Sequence, residues 1–265
     1  MILESIFIYP VKSMAAVSLT DAKVEPRGAR WDRRWMVVDE DGRFLTGRTV
    51  PDLVRFRATV AGEALTIAFG EDAILVPQPE IQSREIVVWK DSLELGDCGD
   101  EVATWLSRRL KREVRLVFQR EDDHRWLAEG KRLHEFDEVS LADGYPLLLI
   151  GTASLAALNQ SLDRPVTMDR FRPNLVVSTK VPFEEDNWQR LIAGNTPFQV
   201  ASQCTRCVFT TVDQTSGEID PAKEPLATLL KTRRRDSDFK PVFGVNLIPE
   251  ASGEIRQGDP VSVTG

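Results

Sequence analysis

The chain has 265 residues, 42% of them hydrophobic, enough to bury a substantial core in one large domain or two ordinary ones. Its formal net charge of −7 argues against nucleic acid or an anionic membrane as a partner, so any anion recognition must be local. Three cysteines favour a reducing compartment over a disulfide scaffold, and no apolar run approaches the ~20 residues that cross a bilayer. With strand-like residues from the start and no leader pattern, the expected location is cytoplasmic.

The first hundred residues are short runs of β-branched and aromatic residues between turn signals. Residues 2–8, 17–24, 35–38 and 43–46 read as strands, the last two joined across Asp41-Gly42, and 64–69 and 85–89 continue the pattern. This predicts a barrel-like, mostly antiparallel unit. From Asp100 the period becomes helical through Val102, Ala103, Leu106 and Leu110, with Asp100 as the expected N-cap and Arg108, Arg109 and Lys111 in the last turn. The first unit is placed at 1–118 and the second at 119–265. A charged stretch, 121–138, reads as the connecting loop, and its His124 and His134 are of a kind that is seldom catalytic when exposed.

In the second unit, 146–150 is a continuously apolar strand, followed by a helix from Thr152 with Leu155, Leu158 and Leu162 on one face. Residues 174–177, 198–200, 208–212, 243–248 and 260–263 read as further strands. The fold class is mainly β with a few helices (α+β), two β-barrel-like units with a ligand cleft between them.

The stretch Cys204-Thr205-Arg206-Cys207 places two soft sulfur ligands and a cation within four residues. A thioredoxin-like pair wants a helix right after its nucleophile, and the run 208–212 reads as a strand. A structural zinc needs about four ligands, and Cys98, His124 and His134 stand at no metal-like spacing. Two small buried hydrophobes remain an open reading. Basic residues recur where loops meet strands: Lys12, Arg33, Arg34, Arg48, Arg170, Arg172 and Arg206. Rigid β frameworks present ligand-binding side chains at such junctions, and several arginines converging on one pocket define an anion site. The run Arg233-Arg234-Arg235, flanked by Asp236 and Asp238, reads as a solvated loop.

Six segments in order, 9–13, 32–35, 171–174, 204–213, 224–226 and 258–261, together resemble the MOSC family, in the two-part form with a β-barrel domain ahead of the MOSC domain. The likeness is to bacterial relatives of the mitochondrial amidoxime-reducing component. It implies a molybdenum cofactor (Mo-molybdopterin), with Cys207 as the metal's thiolate ligand and catalytic residue and Cys204 not a ligand. It also implies cofactor contacts from Lys12, Ser13, Arg33, Asp143, Gly144, Tyr145, Arg172, Asn174, Thr205 and Arg206. The implied activity is reduction of a small N-hydroxylated substrate, an amidoxime or hydroxylamine. Electrons would come from a separate ferredoxin- or flavodoxin-type donor, since no iron–sulfur cysteine motif is present. The alternative is a cofactor-binding or sulfur-carrying protein, with sulfur on Cys207; no pyridoxal-phosphate domain is evident to supply that sulfur, and pyridoxal phosphate binding is not expected.

Overall fold

The computed structural model describes residues 1–77 and 82–264. Eight strands form one sheet in the order Val261–Thr264, Arg190–Ala193, Thr196–Thr205, Val242–Pro249, Leu147–Gly151, Leu175–Val177, Leu3–Ile8 and Val17–Leu19. Its one parallel pair is Leu147–Gly151 with Leu175–Val177, and the helix Thr152–Asn159 lies in the crossover that such a pair requires. The apolar run predicted at 146–150 earns this central place because it is buried on both faces. Leu147 and Leu149 pack into one core, and Leu148 and Ile150 into another.

Two further sheets build the N-terminal unit. Trp35–Val38, Arg115–Phe118, Asp91–Asp97 and Ser83–Val88 form a four-stranded sheet, and Arg57–Ala61, Ala64–Phe69 and Asp72–Val76 a three-stranded one. The helix Asp100–Leu110 packs Val102 and Leu106 into their common core against Trp35, Ile67 and Leu116. The protein is thus mainly β with two barrel-like units. The start of the chain belongs structurally to the later one: Leu3–Ile8 extends its large sheet, and Asp21–Glu25 pairs with Gly253–Arg256. Residues 9–13 therefore run from one unit to the other.

Four local expectations change. The strand expected over 17–24 breaks at Thr20, because its halves pair with different partners, Ile6–Ile8 on one side and Gly253–Arg256 on the other. Residues 43–46 form only bridges, since Thr46 turns its carbonyl to the amides of Thr49 and Val50. Gly99, not Asp100, caps the helix; its φ of +92° suits glycine, and its amide donates to Asp97 Oδ1 at 2.9 Å. The run after Cys207 is a 3-10 turn, Val208–Thr211, rather than a strand. The Thr210 hydroxyl donates to Cys207 O at 3.0 Å and that of Thr211 to Val208 O at 2.8 Å, and this local bonding outcompetes an extended ladder.

Candidate functional site

Where residues 9–13 cross between units, Lys12 N donates to Trp35 O at 2.8 Å and the side chain turns inward. Lys12 Nζ donates to Leu141 O at 2.7 Å and to the Asp143 carboxylate. Burial pulls the Lys12 pKa below the ordinary lysine value, and Asp143 opposes that pull. Asp143 also accepts from Arg48 Nη1 at 3.1 Å. Burial would raise its pKa, but Lys12 and Arg48 prevail and hold the carboxyl well below the usual range, although half of the side chain faces solvent.

Tyr9 is fully buried, and the guanidinium carbons of Arg33 and Arg172 lie 4.3 and 4.0 Å from its ring centroid. Arg33 Nη1 donates to Asp32 Oδ2 at 2.5 Å and to Asn174 Oδ1 at 3.0 Å. Asn174 also donates from Nδ2 to Phe7 O, and its Oδ1 accepts from Leu148 N, so one buried amide ties three segments beneath the arginines. Ser13, Arg33 and Arg172 have φ of 69°, 49° and 56°. Left-handed backbone costs a residue with a Cβ roughly 1–2 kcal/mol, and such strain persists where surrounding structure fixes a required geometry. Burial draws the Arg172 pKa down to about 10, so it stays cationic at neutral pH. Its Nη1 donates to Gln214 Oε1 at 3.0 Å, whereas its buried Nη2 has no partner.

The strand Thr196–Thr205 delivers the two cysteines into different surroundings. Cys204 is half-buried against the core around Phe171 and Phe243, and its sulfur accepts from Arg206 Nη1 at 3.0 Å. Arg206 Nη2 donates to Phe171 O at 2.6 Å, and Nε is buried without a partner. Cys207 is exposed, with Arg48 Nη1 3.9 Å from its sulfur. The following turn is keyed to the N-terminal unit at Gly47, where a Cβ would stand 2.1 Å from the Phe209 ring.

All of the residues that the resemblance singles out line one cleft of about 610 Å³ between the units. Nine arginines and lysines face it against a single carboxylate, Asp143. This density of cations in a protein of charge −7 suits the cleft to an anion. Arg48 and Arg170, noted above only as junction cations, belong to it, as do Lys131, Arg235 and Lys240. Arg235 corrects the reading of 233–235 as merely solvated; Arg233 is also engaged, by Asp186 and the Phe183 ring. Lys131 arrives from the connecting loop and lies over Tyr145, a contact that no local pattern announces. His124 stays outside, bonded to Glu138 and stacked on Trp126, and Cys98 is a core residue of the N-terminal unit.

Fold and cleft define a two-unit β protein with an exposed thiol inside a cationic, ligand-sized cavity. Residues 1–113 match the MOSC N-terminal beta barrel domain and residues 137–262 the MOSC domain. The chain belongs to the MOSC family, in its two-domain form. It is 35% identical to mitochondrial amidoxime reducing component 2 of Bos taurus and 37% identical to that of Rattus norvegicus, over 97% of this chain and 82% of each relative. It is also 34% identical to molybdenum cofactor sulfurase of Danio rerio, over 94% of this chain and 32% of that protein.

Proposed function

We propose that the cleft binds a molybdenum cofactor and that the protein reduces N-hydroxylated compounds with electrons from a separate carrier. The observation that carries this reading is one cavity holding both an exposed thiol and buried guanidinium donors that lack partners. Buried donors left unpaired cost about 1–3 kcal/mol each, and a bound phosphate would satisfy them. Among the described residues no group of three His, Cys, Asp or Glu gathers as a metal site. That suits a metal bringing most of its own ligands and needing one soft thiolate, the role of Cys207.

When bound, the cofactor supplies the two-electron chemistry that turns R–N–OH, two electrons and two protons into R–NH and water. Arg172, Arg206 and Arg33 would hold its phosphate, Asn174 and Tyr9 would fix those arginines, and Thr205 and Ser13 would offer hydroxyls. Gly144 and Tyr145 would form the wall beside Asp143. Cys204, tied to Arg206, would orient that cation rather than bind metal. Lys12 Nζ donates to the Asp143 carboxylate at the edge of the same cavity.

Protein purified from a cofactor-producing host should contain close to one molybdenum per chain and reduce an amidoxime with a viologen dye, but not with NADH alone. Absence of turnover at full molybdenum occupancy would sink the reductase reading. The likeness to the cofactor sulfurase supports a second one, sulfur carriage on Cys207. Mass spectrometry showing a persulfide on Cys207 together with no amidoxime turnover would favour it.

A further inference from the structure

The hairpin between Ser83–Val88 and Asp91–Asp97 turns at Trp89 and Lys90, since Val88 pairs with Asp91. Trp89 sits there at φ 59° with half its surface open to solvent. Two-residue turns favour glycine or asparagine at positive φ, and a bulky residue is an outlier. Local stability therefore does not account for an indole at this place.

Its neighbours do. Phe44 supports the indole from one side, with ring centroids 5.2 Å apart at 56°. The Arg48 guanidinium lies 5.0 Å from its centroid, and the same group is 3.1 Å from Asp143 and 3.9 Å from the Cys207 sulfur. One planar cation thus stands between an exposed indole and an exposed thiol. Arg48, which lines the cleft, is held by its bond to Asp143, and Phe44 packs partly buried against the core of Met36, Val38 and Ile86, so the half-open indole presents a flat apolar surface beside the cleft's Arg48.

We propose that Trp89 is a specificity-determining residue, an aromatic lip whose indole stacks the aryl group of an N-hydroxylated substrate while the N–OH end enters the cleft beside Cys207. This rests on the reductase reading for the substrate class. The aromatic preference itself rests on the placement of Trp89, Phe44 and Arg48.

The test compares benzamidoxime with acetamidoxime in molybdenum-loaded protein, using a viologen donor, for wild type, Trp89→Ala, Trp89→Phe and Trp89→Gly. The benzamidoxime-to-acetamidoxime ratio of kcat/KM should fall about three- to tenfold in Trp89→Ala, the range an aromatic pair supplies, with the loss in KM. Trp89→Phe should keep the ratio within about twofold. Trp89→Gly should lose the ratio as alanine does while its thermal midpoint does not drop, because glycine suits the turn. An unchanged ratio in Trp89→Ala overturns the proposal, and an unchanged ratio with a raised KM for a protein electron donor would make the indole a docking contact instead. Equilibrium dialysis of benzamidoxime separates this from the broader reading. If no amidoxime turns over, the reductase assignment fails, yet a Kd that still rises in Trp89→Ala and not in Trp89→Phe upholds the aromatic lip, and an unchanged Kd refutes it.

Discussion

Asp97 and Asp143 each face two cations, yet the two clusters end in different states. Asp97 is almost wholly buried in the N-terminal unit and accepts from Arg115 Nε at 2.6 Å, Arg115 Nη2 at 2.9 Å, Arg84 Nε at 3.0 Å and Gly99 N at 2.9 Å. Arg115 spends its remaining reach on Asp100 at 2.8 Å. Among the described residues, neither Asp97 nor its partners Arg84 and Arg115 keep a buried side-chain nitrogen or oxygen without a partner. In the cleft, Asp143 accepts from Lys12 and Arg48, but the other cations far outnumber it, and Arg172 and Arg206 each keep a buried N–H unpaired. The same residue types satisfy one another where charges balance and leave buried donors unpaired where they do not.

The largest effect expected is at the thiol. Cys207→Ser should lower amidoxime kcat/KM by at least ~100-fold, because a hydroxyl is a hard, weak substitute for a thiolate on a soft metal. Cys204→Ser, which disturbs the orientation of Arg206 and a partly buried core contact, should lose no more than about tenfold, the lower end for a residue that positions a ligand. Equal losses would point to a dithiol or persulfide mechanism instead.

On the Asp97 side, Arg115→Ala should lower unfolding free energy by about 1–3 kcal/mol, read from urea midpoints, since it strips two hydrogen bonds from a buried carboxylate. The pH dependence has a definite sign. Burial opposes ionisation of Asp97, but the bonds from Arg115, Gly99 and Arg84 overcome it and lower its folded-state pKa. Its stabilisation is therefore complete above the unfolded carboxylate range and disappears as pH falls below about 4. Thermal midpoints of wild type and Asp97→Asn should differ at pH 7 and converge toward pH 3; a constant gap would contradict this. The smallest effect is at Cys98, buried in the N-terminal core, where Cys98→Ala should cost on the order of 1 kcal/mol and leave molybdenum content unchanged.

Part of the fold and of the cleft was legible before any coordinates, whereas the Asp97 clamp was not. The apolar run at 146–150 announced a strand, which the fold then buries on both faces, and the junction cations Lys12, Arg33, Arg172 and Arg206 do share one cavity. What escaped was of three kinds. Side-chain hydroxyls folding back on the chain turned 208–211 into a 3-10 turn, a competition that β propensity does not register. The left-handed backbone at Ser13, Arg33 and Arg172 is imposed by tertiary contacts, and nothing in those residue types signals it. Arg235 looked solvated because its acidic neighbour Asp238 is adjacent in sequence; the pair forms as the pattern suggests, at 2.6 Å, but on the cleft wall. Spacing alone reports the pair and not the surface it lies on.

The central claim is that unpaired cations, not charge as such, hold the cofactor. Its most direct test is the molybdenum-to-protein ratio of wild type, Arg172→Ala and Arg115→Ala, each purified folded from the same cofactor-producing host. Arg172→Ala should lose most of its molybdenum at near-native stability, while Arg115→Ala should keep full occupancy at a lower urea midpoint. Full occupancy in Arg172→Ala, or equal metal loss in both variants, would contradict the account.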